Sequence, residues 1–261
     1  MKILIYPDTN HVKWGITQLK PYIEVTGVEL AESKEDDFDV LLYWSYHKGI
    51  RPLDEFLLAE AKKRHIINLG GWDTTKTCNE KVAKSIYGYN TVIDPFTFKG
   101  VMAEKSEKQG SHDLTIIDSV KEKKKGYIYV ELIDNRINET TVRDYRVFVY
   151  ANKVELVLIK DKSIEDRFAG AIKSKIQVCN SPLDEFSKEE IGQMEDFCRA
   201  YDTEFTELDV VRGTDGRVHV LDNNNMPSYN PAIKPIFEAD DKKILRYLSD
   251  KFYKMLERYE D

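Results

Sequence analysis

The sequence has 261 residues, 41% hydrophobic and 33% charged, with 13 Gly and 8 Pro, a composition that excludes a disordered or collagen-like chain. The 39 Lys and Arg against 46 Asp and Glu leave a net charge of −7, which argues against a surface that wraps nucleic acid. Cys78, Cys179 and Cys198 have no CxxC spacing, so neither a disulfide framework nor a zinc ribbon is indicated. No apolar run reaches the roughly 18 residues that span a bilayer. The short apolar run at the start is not a signal peptide, so no membrane is expected as a partner and the expected setting is cytoplasmic.

The first 70 residues alternate between strand and helix patterns. KILIY at 2–6 and FDVLLY at 38–43 read as strands, RPLDEFLLAEAKK at 51–63 as a helix, and HIINL at 65–69 as a third strand. That order argues a small parallel sheet. A helix follows over 74–87, with Thr77 or Asn79 as its cap. The chain then turns β-rich, with strands expected at 100–105, 114–120, 127–133, 145–149 and 154–159, the last two joined through Asn152-Lys153. The KEKKK run at 121–125 is read as a solvated loop. A helix over 187–201, strands at 205–211 and 217–221 joined by GTDG, and an amphipathic helix over 240–259 complete the order.

The most informative stretch is ELDVVRGTDGRVHVLDNNNMP at 207–227. Residues at i and i+2 of a strand share a face, so Asp222 and Asn224 are expected to converge with Asp209 across a hairpin. Two carboxylates and an amide oxygen are hard ligands that suit Mg²⁺. The bland reading is a polar hairpin end, but a lone carboxylate in an apolar strand such as 205–211 is costly without a partner. In RDYRVFV at 143–149, Asp144 and Arg146 alternate with apolar residues, and Arg146 can offer a planar cation to a phosphate. AEKSEKQGSHD at 103–113 carries Lys105 into a glycine-containing loop, a plausible phosphate cradle without P-loop or GxGxxG spacing.

Taken in order, these pieces resemble the ATP-grasp superfamily, and more narrowly ATP-grasp proteins linked to bacterial surface-glycan gene clusters. The shared motifs read here Lys105-Ser106…His112-Asp113, Leu132–Arg136, Asp144–Arg146 and Leu208–Pro227. The resemblance implies an α/β (α+β) ATP-grasp fold with a small N-terminal Rossmann-like parallel-sheet domain at 1–75, a first subdomain with its lid loop at 76–134, and a second with the Mg²⁺ and ATP site at 135–261. It implies ATP and Mg²⁺ as cofactors. Lys105 would meet the α- or β-phosphate, with Gly110, Ser111 and His112 in the loop that closes over the phosphates. Glu131, Leu132 and Ile133 would form the hinge against adenine. Arg146 would lie near the γ-phosphate with Lys160 and Arg167 as further basic partners, and Asp209, Asp222 and Asn224 would hold the metal. Asp222-x-Asn224 stands where the family has Glu-x-Asn, Leu114 follows Asp113 where glycine is usual, and Lys123, Lys124 and Lys125 compete as the second ATP lysine.

The activity implied is carboxylate activation: an acyl phosphate forms and an amine or other nucleophile displaces phosphate. Such chemistry rests on positioning and charge neutralisation, so no nucleophilic cysteine is expected. Small-molecule carboxylate and nucleophile substrates are the partners implied, with a second copy of the chain as a candidate. A small-molecule kinase and a non-catalytic nucleotide-binding protein are the alternatives. Trp44, Tyr46 and His47 follow an expected parallel strand, where ligands bind open α/β sheets, and are acceptor-side candidates.

Overall fold

A computed structural model describes residues 1–8, 17–111, 113–168, 174–227, 229 and 231–260. The expected α/β class holds. A four-stranded parallel sheet is built from β1 (Lys2–Pro7), β2 (Glu29–Leu30), β3 (Val40–Trp44) and β4 (Ile66–Ile67) in the order β2-β1-β3-β4. Helix α1 (Leu19–Thr26) links β1 to β2, and α2 (Glu55–Glu60) links β3 to β4. The helix expected from residue 51 starts at 55, because Asp54 accepts the Leu57 N–H as its cap and Pro52 lies upstream.

Helix α3 (Lys76–Tyr87) leads into a three-stranded antiparallel sheet, β6-β5-β7, from β5 (Met102–Ser106), β6 (Thr115–Ile117) and β7 (Tyr127–Glu131). Thr75 caps α3, in place of the expected Thr77 or Asn79. Both of those have other duties: Thr77 bonds to Glu107, and Asn79 donates to the Val220 carbonyl at 3.1 Å.

The largest sheet has five antiparallel strands in the order β10-β9-β8-β11-β12. They are β8 (Thr141–Tyr150), β9 (Lys153–Ser163), β10 (Lys175–Cys179), β11 (Phe205–Arg212) and β12 (Val218–Asn224). The β8–β9 turn is Ala151-Asn152, one residue earlier than expected, and both residues have positive φ as a two-residue hairpin requires. Helix α4 (Lys188–Tyr201) starts in a full capping box between Ser187 and Glu190. The chain ends in α5 (Lys234–Glu238) and α6 (Lys243–Arg258).

The five-stranded sheet has two faces of different character. One buries Tyr145, Val147, Val149, Val157, Ile159, Leu208 and Val210 against α3 and α4. The other changes along its strands. At one end Phe148, Tyr150, Leu156, Leu158 and Phe205 join a core with β1, β3, α1 and α6. At the other end the same alternation presents Asp144 and Arg146 on β8, Lys160 and Lys162 on β9, and Asp209 on β11. No helix among the described residues is long and apolar enough to cross a membrane.

Candidate active site

The charged end of that face forms one wall of a cleft of about 350 Å³, with the three-stranded sheet and its loops opposite. Arg146 stands across from Asp209 in the β8–β11 ladder, and Asp209 stands across from Asp222 in the β11–β12 ladder. A β-bulge makes the second juxtaposition. Val210 pairs with Val220 and Asp209 with Asp222, so Leu221 is one extra residue on β12. Strict alternation from Val218 and Val220, both in the core, would send Asp222 into the core with them. The extra residue turns it to the cleft.

Asp144, Asp209 and Asp222 of the cleft are each matched by a cation. Asp209 accepts from Arg146 at 3.0 Å, from Lys160 at 2.9 Å and from the Asn224 side-chain amide at 3.0 Å. Burial alone would raise the Asp209 carboxyl, but Arg146 and Lys160 together outweigh it and hold it far below the usual carboxylate range. Arg146 also donates from Nη1 to Glu207 at 2.9 Å. Burial pushes the Glu207 carboxyl up, against the pull of Arg146. Asp222 pairs with Lys76 at the start of α3, and Asp144 pairs with Lys162 at 2.6 Å. Lys105 lies 3.7 Å from Glu80; burial lowers its pKa, and Glu80 works in the opposite direction.

The loop after β5 lies over this wall with polar ties. Glu107 accepts the Thr77 N–H at 3.0 Å, Gln109 donates to the Asn223 carbonyl at 2.6 Å, and Lys48 donates to the Gly110 carbonyl at 3.1 Å. Gly110 has φ +60°, a conformation that favours glycine. At the other rim, Arg167 donates to the Ile133 carbonyl at 2.8 Å and to the Asn135 side chain at 2.9 Å. Burial lowers the Arg167 pKa.

The cleft thus gathers Lys105, Gly110, Ser111, Glu131, Leu132, Ile133, Arg146, Lys160, Arg167, Asp209 and Asp222 from among the expected site residues. Asn224 joins through its bond to Asp209, and His112 lies outside the described residues. Lys123 pairs with Asp94 and Lys124 with Glu104, and none of Lys123, Lys124 and Lys125 lines the cleft. Lys76 and Lys162 line it instead. Lys162 repeats the strand period of Lys160, and Glu207 that of Asp209, signals the sequence carries, whereas nothing local marks Lys76. Trp44 is fully buried and stacks on Phe205 in the core, so it is no acceptor contact; Tyr46 and His47 are exposed. His219 packs edge-on against Tyr89, and burial lowers its pKa.

The donor chemistry fits Mg²⁺. Asp209 and Asp222 are ladder partners facing one cleft, and two carboxylates leave coordination positions for phosphate oxygens. Among the described residues no group of three or more His, Cys, Asp and Glu could hold a metal, so a dedicated all-protein cage is absent from them.

No family model and no curated protein matches the sequence. Solved structures do match the fold. A structure of the ATP-grasp ligase PsnB complexed with a phosphomimetic variant of its minimal precursor, Mg and ADP superposes with a TM-score of 0.61 at 14% identity, over 98% of each chain. D-alanine–D-alanine ligase from Bacillus anthracis complexed with ATP gives 0.56 at 14% identity, over 99% of this chain and 98% of that one. The macrocyclase MdnC bound with precursor peptide MdnA from Microcystis aeruginosa gives 0.51 at 12%, over 97% and 100%. The described chain is an α/β protein with the fold of the ATP-grasp ligases.

Proposed function

We propose that the chain is an ATP-dependent ligase that activates a carboxylate as an acyl phosphate and joins it to an amine or another nucleophile. The observation that carries this reading is the cleft itself. Six cationic side chains, Lys76, Lys105, Arg146, Lys160, Lys162 and Arg167, converge there with Asp209 and Asp222 beneath a glycine-containing loop. Each cation except Arg167 is neutralised by a carboxylate, an arrangement suited to exchanging partners with a polyphosphate.

In this reading Lys105 binds an α- or β-phosphate oxygen, and the loop over 109–112 covers the phosphates. The backbone of Glu131–Ile133 meets the adenine edge, where Val130, Leu132 and Leu221 supply an apolar lining. Arg146, with Lys160 and Arg167, stabilises negative charge on the transferring phosphoryl group and orients it toward the substrate carboxylate. Asp209, Asp222 and Asn224 would hold Mg²⁺, which when bound neutralises phosphate charge. The nucleophile then attacks the acyl carbon, the bond to the phosphate oxygen breaks, and inorganic phosphate leaves. The reading divides the chain at 1–75, 76–134 and 135–261. Modification of a glycan or another small molecule is the setting its motifs suggest.

The test is inorganic phosphate release from ATP and Mg²⁺ with a panel of carboxylates and nucleophiles: amino acids, sugar acids and, because PsnB and MdnC are seen with precursor peptides, short acidic peptides. A ligase releases phosphate only when both a carboxylate and a nucleophile are present. A kinase yields a stable phosphorylated product without a second substrate. A binding protein shifts its melting temperature with nucleotide and turns nothing over.

A further inference from the structure

Behind the cleft wall lies a charge that packing does not require. The Glu207 side chain is 0% exposed, whereas that of Asp209, two residues along the same face, keeps 27%. Glu207 stands opposite Phe148 in the β8–β11 ladder, and Phe148 stands opposite Leu156 on β9. It therefore sits in the first apolar row, one row beyond Arg146 and Asp209. An apolar side chain of similar volume there would avoid the desolvation of a carboxylate.

The partners of Glu207 run in two directions. Forward, it accepts from Arg146 Nη1 at 2.9 Å, while Arg146 Nε and Nη2 go to Asp209 at 3.2 and 3.0 Å. Backward, it accepts from the side-chain amide of Gln18. Gln18 in turn accepts from the Tyr22 hydroxyl at 2.8 Å, and that hydroxyl lies 2.9 Å from the Tyr150 hydroxyl. The Gln18 backbone N–H donates to the Pro227 carbonyl at 3.0 Å, just past β12. Gln18, Tyr22, Tyr150 and Glu207 are all buried, so this is a buried polar relay through the apolar core from the cleft to the start of α1.

We infer that Glu207 is a positioning residue for Arg146, an inference that rests on the ligase reading of the cleft. Of the two carboxylates on this guanidinium, Asp209 faces the cleft and already shares Lys160 and Asn224, so it can change partners. Among the described residues Glu207 bonds to Arg146 and Gln18, and it has no solvent to turn to. It holds the guanidinium by one nitrogen, leaving Nε and Nη2 to pass from Asp209 to an anionic oxygen in the cleft without release of the side chain. Gln18 fixes that anchor to the parallel-sheet half of the molecule.

The variants that test this are Glu207→Gln, which keeps the shape and removes the charge, and Gln18→Met, which cuts the relay but leaves Glu207 on Arg146. Calorimetric titration with Mg²⁺ compares ADP with a non-hydrolysable ATP analogue. Glu207→Gln should weaken the triphosphate analogue by about tenfold and ADP by less than about threefold, the discrimination expected when one buried charge partner of a recognition arginine is lost. Gln18→Met should show the same pattern more weakly. Equal loss for both nucleotides, or no loss for either, would overturn the inference. A second measurement needs no nucleotide: unfolding double-mutant cycles pairing Arg146→Met with Glu207→Gln and with Asp209→Asn. The Glu207 cycle should show the larger coupling, because the Glu207 carboxylate is wholly out of water whereas that of Asp209 keeps 27% exposure. A coupling no larger than that of Asp209 would overturn the anchor. Wild-type protein that binds neither nucleotide would count against the ligase reading instead, and the cycles would still decide the role of Glu207.

Discussion

The two ends of one sheet face make the most instructive comparison in this molecule. Along β8 the side chains on that face run Asp144, Arg146, Phe148, Tyr150; along β9 they run Leu156, Leu158, Lys160, Lys162. Strand direction reverses between neighbours, so the apolar ends align with each other and the charged ends align with each other. One end is a core built with α1, α6 and the parallel sheet, and the other is a cleft. Period-two alternation fixes which face a residue joins, and position along the strand fixes whether that face holds the fold together or handles a ligand. Glu207 and Gln18 cross the boundary.

If the two ends divide the labour in this way, substitutions should separate stability from activity. The largest effect belongs to the apolar end. Phe205 stacks with Tyr150 at 5.2 Å and packs on Trp44 and Phe252. Phe205→Ala should cost about 3–5 kcal/mol in denaturant unfolding. The remaining folded protein should bind nucleotide as wild type does.

At the charged end the pattern should invert. Asp222→Asn should lower turnover by about 100-fold or more, the scale of losing one preorganised charge contact at a transferring group. The Asp222 and Lys76 side chains are only 22% and 11% exposed, so losing the Asp222 charge should also cost about 1–3 kcal/mol in unfolding, less than Phe205→Ala. Full activity in Asp222→Asn would show that the bulge at Leu221 presents a turn residue and not a ligand.

A smaller effect is expected in the loop above the cleft. Gln109→Ala removes the bond to the Asn223 carbonyl. It should weaken nucleotide binding about fivefold, the scale of one hydrogen bond, with no change in unfolding midpoint. Hydrogen exchange in 107–111 should rise in the same variant.

The smallest effect lies at the seam behind the core. His65 contacts the buried Glu204 carboxylate at 3.0 Å and stacks on Tyr259. The hydrogen bond to Glu204 raises the His65 pKa above its ordinary 6.5. A raised histidine pKa means stability that is full below 6.5 and lost as pH climbs through the folded value. The wild-type melting temperature should therefore decline slightly between about pH 6 and 8, by the equivalent of less than about 1 kcal/mol for a half-exposed group. His65→Gln should flatten that decline; an unchanged slope would remove His65 from the account.

Much of this organisation is legible in the residues, for reasons that can be named. β8 and β11 declare themselves because Asp144, Arg146 and Asp209 interrupt apolar runs at strand period. The Ser187…Glu190 box marks α4, and GTDG marks the β11–β12 turn. Elements that hide do so for physical reasons. α1 carries Pro21 in its first turn and no side-chain cap on Gln18, so its local signals are weak, and its packing against α6 through Leu19 and Tyr22 defines it. β10 is an edge strand with mixed exposure, specified by its ladder to β9. Asp222 is legible as a polar strand residue, but the bulge that aims it is a matter of register with β11. Lys76 reaches the site through tertiary contact alone, and no spacing in the sequence reports such a contact; Glu207 shares the strand period of Asp209, but its burial against Gln18 is tertiary too.

The most direct test of the central claim, that the charged end of the sheet face is a Mg²⁺-dependent nucleotide site, is calorimetric titration of the wild-type protein with ADP, with and without Mg²⁺, beside Asp222→Asn. Binding to the wild type should be saturable and should tighten with Mg²⁺. In Asp222→Asn the Mg²⁺ dependence should be lost while metal-free binding persists through Lys105 and the hinge. No binding at millimolar nucleotide, or the same Mg²⁺ dependence in both proteins, would contradict it.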